Sequence, residues 1–222
     1  MILEWLLAPI DASRSHHIDL TIAWHARIMV IGWGVLIPTG IVIARYFKVT
    51  PGQDWPRALD NPFWWHSHLG LQQLGVALSI AGIALAVWAS VPAHALHKVL
   101  GWAVFAGGLL QVLSGWLRGT KGGPTAPAPD GSMRGDHYDM TIRRVIFEAV
   151  HKTLGYVLLV TAAVTILLGL WSVNAPVWMW LAITGYWVGL AGVAILAERR
   201  GMAIGSYQAI WGPDPKHPGN RQ

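Results

Sequence analysis

Five stretches of this chain, at about 20–46, 64–90, 95–117, 145–172 and 176–197, are apolar and close to or beyond the roughly 20 residues that a helix needs to cross a bilayer. A helix satisfies its backbone N–H and C=O groups internally, which hydrocarbon demands of anything that spans it. The expected fold is therefore all-α: an integral membrane bundle of five transmembrane helices. Composition agrees, since 54% of the 222 residues are hydrophobic, only 12% are charged, and mean hydropathy is +0.43. The net charge of +5 does not point to nucleic acid, because the basic residues flank the apolar runs and read as topology signals.

The flanking segments carry less information. Residues 1–19 are expected to lie at the interface, with a short helix over 2–8 stopped by Pro9 and Trp5 at headgroup depth. The opening lacks the basic start and cleavage site of a signal peptide. Pro38 is expected to interrupt the first span. The connection over 118–144 is rich in Gly and Pro and reads as a polar loop, with DHYDM at most a weak metal or partner site. The tail, 198–222, is expected to be cytoplasmic and irregular after Gly201.

Five spans put the two termini on opposite sides. If side A holds the N-terminus, it carries Arg14, Arg27 and Lys98, and side B carries the other thirteen of the sixteen basic residues. The positive-inside rule places side B in the cytoplasm and the N-terminus outside.

Two spans share a template. His97 to Gly115 reads HKVLGWAVFAGGLLQVLSG and His151 to Gly169 reads HKTLGYVLLVTAAVTILLG. In each, a glycine (Gly101, Gly155) follows the histidine by one helical turn, leaving room for a flat ring against the helix. The competing reading makes each histidine an interfacial helix-end residue and each glycine a packing contact. His25 and His68 begin the first two spans and are followed seven residues later by Gly32 and Gly75. By topology His25 and His97 lie toward side A, and His68 and His151 toward side B. Each pair is placed to hold one iron between neutral imidazoles. With no cysteine in the chain, thiolate metal sites, iron–sulfur clusters and covalent haem are excluded, so the expected cofactors are two b-type haems, bound non-covalently with bis-histidine ligation. Their irons would stand about 20 Å apart in depth.

The run HARIMVIGWGVLIPTGIVIAR from His25 to Arg45 resembles the first core helix of the cytochrome b561 family, closest to its DOMON-linked branch. His68 with Gln72, His97 with Gly101 and Gln111, and His151 with Gly155 and Tyr156 are similar to the family's other core helices, over roughly residues 20–197. The Gln72 pattern selects His68 over His66. The resemblance implies a di-haem cytochrome that passes electrons across a membrane, with a small-molecule reductant such as ascorbate near basic residues like Arg45. Three departures stand out: no DOMON domain precedes the core, so the external partner is expected to be separate; Arg27 replaces a small or apolar residue; and the 118–144 connection is long.

Among secondary residues, Arg27 needs an anion or an escape to the interface, and a haem propionate is one candidate. Lys98 and Lys152 each follow a histidine ligand and are read as propionate partners or headgroup contacts. His94 could serve a substrate mouth on side A or be a solvated loop residue. No residue stands out as a catalytic group. The expected partners are the lipid bilayer, an electron donor (ascorbate or quinol) and an acceptor (a ferric chelate or quinone), with a homodimer left open. Transfer from a cytoplasmic reductant to an external ferric chelate is the first functional reading. A quinone-linked oxidoreductase acting on an outer donor such as superoxide is the second, and a haem-free transporter or assembly subunit the third. The expected location is a bacterial inner membrane.

Overall fold

The computed structural model describes residues 1–16, 19–59, 61–90, 93–118, 142–216 and 220. Its five long helices are α2 (Leu20–Tyr46), α3 (Phe63–Trp88), α4 (Ala95–Leu117), α5 (Ile142–Ser172) and α6 (Val177–Arg199), each long and apolar enough to cross a membrane. Their ends differ from the sequence expectation by at most three residues. Short helices α1 (Ile2–Leu7) and α7 (Ser206–Trp211) stand at the two ends of the chain. Most of the 118–144 connection, DHYDM included, lies outside the described residues, as do His17, His137 and His217.

The protein is an all-α integral membrane bundle. Helix α2 packs chiefly on α3, and α4 on α5. The core between them holds Trp33, Ile37, Val104, Leu158, Ala162 and Ile166. Large apolar side chains elsewhere on the spans face outward; Val99, Val160 and Val188 are all well exposed. Such a surface is stable against lipid and costly against water.

Pro38 does not interrupt the first span. The chain instead widens to a π-helical segment over Val30–Leu36 and continues as α-helix to Tyr46. Proline has no N–H, so the carbonyl four residues back, Gly34 O, loses its helical donor. Trp187 of α6 supplies one, with Nε1 2.9 Å from Gly34 O. The next carbonyl, Val35 O, accepts from the Thr39 hydroxyl at 2.6 Å and the Tyr186 hydroxyl at 3.3 Å. The fifth span, which buries the smallest share of its residues, thereby satisfies the backbone defect of the first.

On side A the N-terminal segment is tied to the α5–α6 turn. Asn174, fully buried, donates from Nδ2 to Asp11 O (2.9 Å) and Arg14 O (3.0 Å) and accepts from Asp11 N–H (3.0 Å). Asp19 then caps α2 by accepting from Ile22 N–H at 2.8 Å. On side B the tail contains one short helix, α7, where an irregular segment was expected. Tyr207, Ala209 and Ile210 are buried, and the apolar stretch SYQAIW gains more by burying that face than by staying solvated.

Candidate functional site

The four span histidines meet two by two. His25 and His97 have ring centres 6.4 Å apart at an interplanar angle of 78°, and His68 and His151 have centres 6.5 Å apart at 72°. An ion lies about 2 Å from a ligating imidazole nitrogen and about 1 Å more separates that nitrogen from the ring centre, so two rings flanking one ion stand about 6 Å apart. Both spacings match.

Each ring is aimed by a hydrogen bond from Nδ1. His25 Nδ1 lies 2.8 Å from Gly82 O, His68 Nδ1 3.1 Å from Gly40 O, and His97 Nδ1 3.0 Å from Thr165 O. A carbonyl only accepts, so each Nδ1 must carry the proton, and Nε2 is left with its lone pair free for a metal. His151 Nδ1 lies 3.2 Å from Ser114 Oγ, whose own proton goes to Gln111 O at 2.9 Å. The serine therefore accepts, and the fourth ring takes the same tautomer.

The sequence fits these bonds to the helices by spacing. His25 and Gly40 stand fifteen residues apart on α2, about 22 Å of rise, and His68 and Gly82 stand fourteen apart on α3. Antiparallel packing then gives each helix one imidazole and one acceptor, at opposite depths. Gln72 Nε2 donates to Ile37 O (3.0 Å) and Gln111 Nε2 to His151 O (2.8 Å), bracing the side-B level. Gly82, Thr165 and Ser114 were not singled out from the sequence, and Gly40 only as part of the likeness of the first span. Their signal was the residue count from each histidine, which becomes readable only once the partner helix is known.

The predicted glycines divide. Gly32 and Gly75 face each other at the α2–α3 crossing, where a Cβ on Gly32 would stand 3.0 Å from Gly75 O and one on Gly75 would stand 2.7 Å from Ile37 Cγ1. Helix packing accounts for both without a ring beside them. Gly101 has open space beside it, and a Cβ on Gly155 would meet only Gln111 Nε2, at 3.1 Å. Gly169 has an unforeseen role: a Cβ there would stand 3.0 Å from His97 Cε1, so its bareness lets that imidazole lie across α5.

The basic candidates divide as well. Arg27 is exposed, with its guanidinium 5.4 Å over the Trp24 ring, and Lys98 is exposed. His94 caps α4, its Nδ1 accepting from Leu96 N–H at 3.2 Å. Lys152 pairs with Glu148 at 2.8 Å.

The side-B imidazoles open into a cavity of about 500 Å³, within the roughly 300–1,000 Å³ usual for cofactor-sized ligands. Its lining includes His68, His151, Gln72, Gln111 and Gly155, and its charged members among the described residues are Arg45, Lys48, Arg118, Arg144, Lys152 and Glu148. Helix α5 starts early enough to bury Arg144, whose Nε donates to Glu148 Oε1 and to the Tyr207 hydroxyl, both at 3.1 Å. Burial pushes the Tyr207 phenol up to about 12, so it stays protonated and donates to Glu148 Oε1 at 2.8 Å. Burial, together with the nearby Lys152 and Arg45, pushes Lys48 down to about 8. Arg144 had been read from the sequence only as a topology charge. The better signal was Glu148, the only carboxylate within α5.

Among the described residues no group of three or more His, Cys, Asp or Glu side chains could hold a metal. A protein-built zinc site needs three or four ligands. Two opposed imidazoles instead suit an ion that brings its remaining, in-plane ligands with it, as porphyrin iron does. The donor set, the paired spacing and the cavity fit haem.

No family model matches the chain, and no solved structure matches it. Curated relatives do. A cytochrome b561 and DOMON domain-containing protein of Arabidopsis thaliana is 27% identical over 179 residues, 78% of this chain and 38% of its own length. A second protein of that description and organism is 29% identical over 181 residues, 78% of this chain and 33% of its own. The chain thus spans at most 38% of the length of these relatives. Several relatives of this one description, each similar over 78% of this chain, support a likeness to the cytochrome b561 family.

Proposed function

We propose that the chain carries electrons across its membrane through two non-covalent b-type haems, one held by His25 and His97 toward side A and the other by His68 and His151 toward side B. The haems supply one-electron chemistry by cycling between ferric and ferrous iron. The protein's part is to fix the tautomer of four imidazoles, exclude water and set two levels at opposite depths. The observation that carries the reading is the equal spacing of two separate imidazole pairs, each aimed through Nδ1 by a neighbouring helix.

Electrons enter at side B and leave at side A for an acceptor such as a ferric chelate. The excess of cations around the side-B cavity favours an anionic reductant such as ascorbate there. The basic excess also makes side B the cytoplasmic face. The relatives are plant proteins, so the membrane is assigned here only as one with a cytoplasmic face.

A redox-titrated spectrum of the purified protein tests the reading. About two b-type haems per chain, titrating as two levels, is the expected result, and colourless protein of native fold overturns it. In proteoliposomes, quinone reduction with no response to ferric chelates would replace the acceptor and reverse the direction.

A further inference from the structure

Among the described residues, three buried polar atoms around the side-B cavity have no partner: Trp64 Nε1, Gln111 Oε1 and Arg144 Nη1. Arg144 is the one that matters most, because a guanidinium does not shed its proton and is costly to bury with a donor unmet. It is 4% exposed. Its neighbour Glu148 cannot complete it: Oε1 already takes Arg144 Nε and the Tyr207 hydroxyl, and Oε2 takes Lys152 Nζ at 2.8 Å. Among the described residues Glu148 is thus shared by Arg144 and Lys152, and Arg144 keeps one buried donor without an acceptor.

We propose that Arg144 Nη1 donates to a propionate of the haem held by His68 and His151, and that Glu148 and Tyr207 of the C-terminal helix hold the guanidinium in position. This rests on the reading of the chain as a di-haem cytochrome. Arg144 precedes His151 by seven residues on α5, two turns along one face and about 10 Å of rise, which is the scale on which a porphyrin's carboxylate tails extend from its iron. Both residues line the same cavity. Tyr207 reaches the cluster from α7, and Lys48 Nζ ties the preceding chain down at Ile204 O, 3.0 Å away. The tail thus completes a cofactor site whose iron ligands come from the spans. Arg144 is the propionate donor, and Tyr207 acts through it as a positioning residue.

The test is redox titration and haem quantitation on the purified 222-residue chain, with the side-A level as internal control of folding. Arg144→Gln removes a cation near the side-B iron, so ferric iron is stabilised there. The expected result is a lowered side-B midpoint and side-B haem recovered at less than one per chain, with side A unmoved. Arg144→Lys should fall between Gln and wild type, and Tyr207→Phe should lower the side-B midpoint by less than Arg144→Gln does. If Arg144→Gln loses both levels the bundle itself has failed, and Tyr207→Phe decides. A side-B midpoint and occupancy at wild-type values in the folded variants overturns the proposal. A wild-type side-B midpoint that moves on titration with succinate also overturns it, since the donor would then serve a diffusible anion. Haem-free wild type defeats the di-haem reading instead, a different result from haem-loaded protein indifferent to Arg144.

Discussion

The two imidazole pairs are built alike but housed differently. Both have ring centres about 6.4–6.5 Å apart and all four Nδ1 atoms engaged. On side A the neighbouring cations, Arg27 and Lys98, are exposed, and both ring acceptors are backbone carbonyls. On side B the pair opens into a cation-lined cavity to whose wall the tail contributes, and one acceptor is the Ser114 hydroxyl. The pairing of the imidazoles is thus set by the transmembrane register, common to both levels, whereas the charge around each level is set by the segments that emerge from the membrane. The midpoints of the two levels should differ for the second reason and not the first.

The largest expected effect breaks the pairing itself. His68→Ala should remove the side-B level and spare side A, and His97→Ala should do the reverse, each read as loss of one of two titrating spectral components. Loss of both in either variant would mean that the levels are not independent. A smaller, one-sided effect is expected from Gly169→Val. Its Cβ would stand 3.0 Å from His97 Cε1 and its methyls would reach further, so the side-A haem should be recovered in reduced yield while side B is unchanged. Smaller still is Ser114→Ala, which leaves the His151 Nδ1 proton without its acceptor. That bond is worth about 1 kcal/mol and makes the imidazole a stronger donor to ferric iron, so the side-B midpoint should rise slightly with haem content intact.

The difference between the levels also marks what was legible in the sequence. Span number, span ends and the pairing of His25 with His97 and of His68 with His151 follow from hydropathy and from the parity of the spans. Both are one-dimensional properties. The role of Gly32 and Gly75 was not legible, because a bare glycine beside an imidazole and a bare glycine against a second helix have the same pattern. Pro38 was misread for a related reason: whether proline breaks a helix depends on a donor for Gly34 O, and Trp187 lies 153 residues from that carbonyl, on the fifth span. The short helix in the tail was missed because its Tyr207 is held by Arg144 and Glu148, which have no sequence signature as its partners.

The smallest effect belongs to Lys48, and it separates the two levels by pH. In the folded protein Lys48 has given up its proton above about 8, whereas an unfolded lysine keeps it to 10.5. Between those values unfolding takes up a proton, so raising the pH favours the fold; below about 8 the lysine is charged in both states and the whole cost of burying it is felt. Haem-free protein should therefore gain thermal stability as the pH rises from about 8 toward 10, and Lys48→Met should flatten that gain. An anion in the side-B cavity opposes the neighbouring Lys152 and Arg45, returns Lys48 toward the ordinary lysine value and shrinks the gain in the haem-loaded wild type. Measured unfolding midpoints across this range, in haem-free and haem-loaded protein, should thus differ in slope through a residue of side B alone. Equal slopes would mean that the anion closest to Lys48 is not brought by the haem.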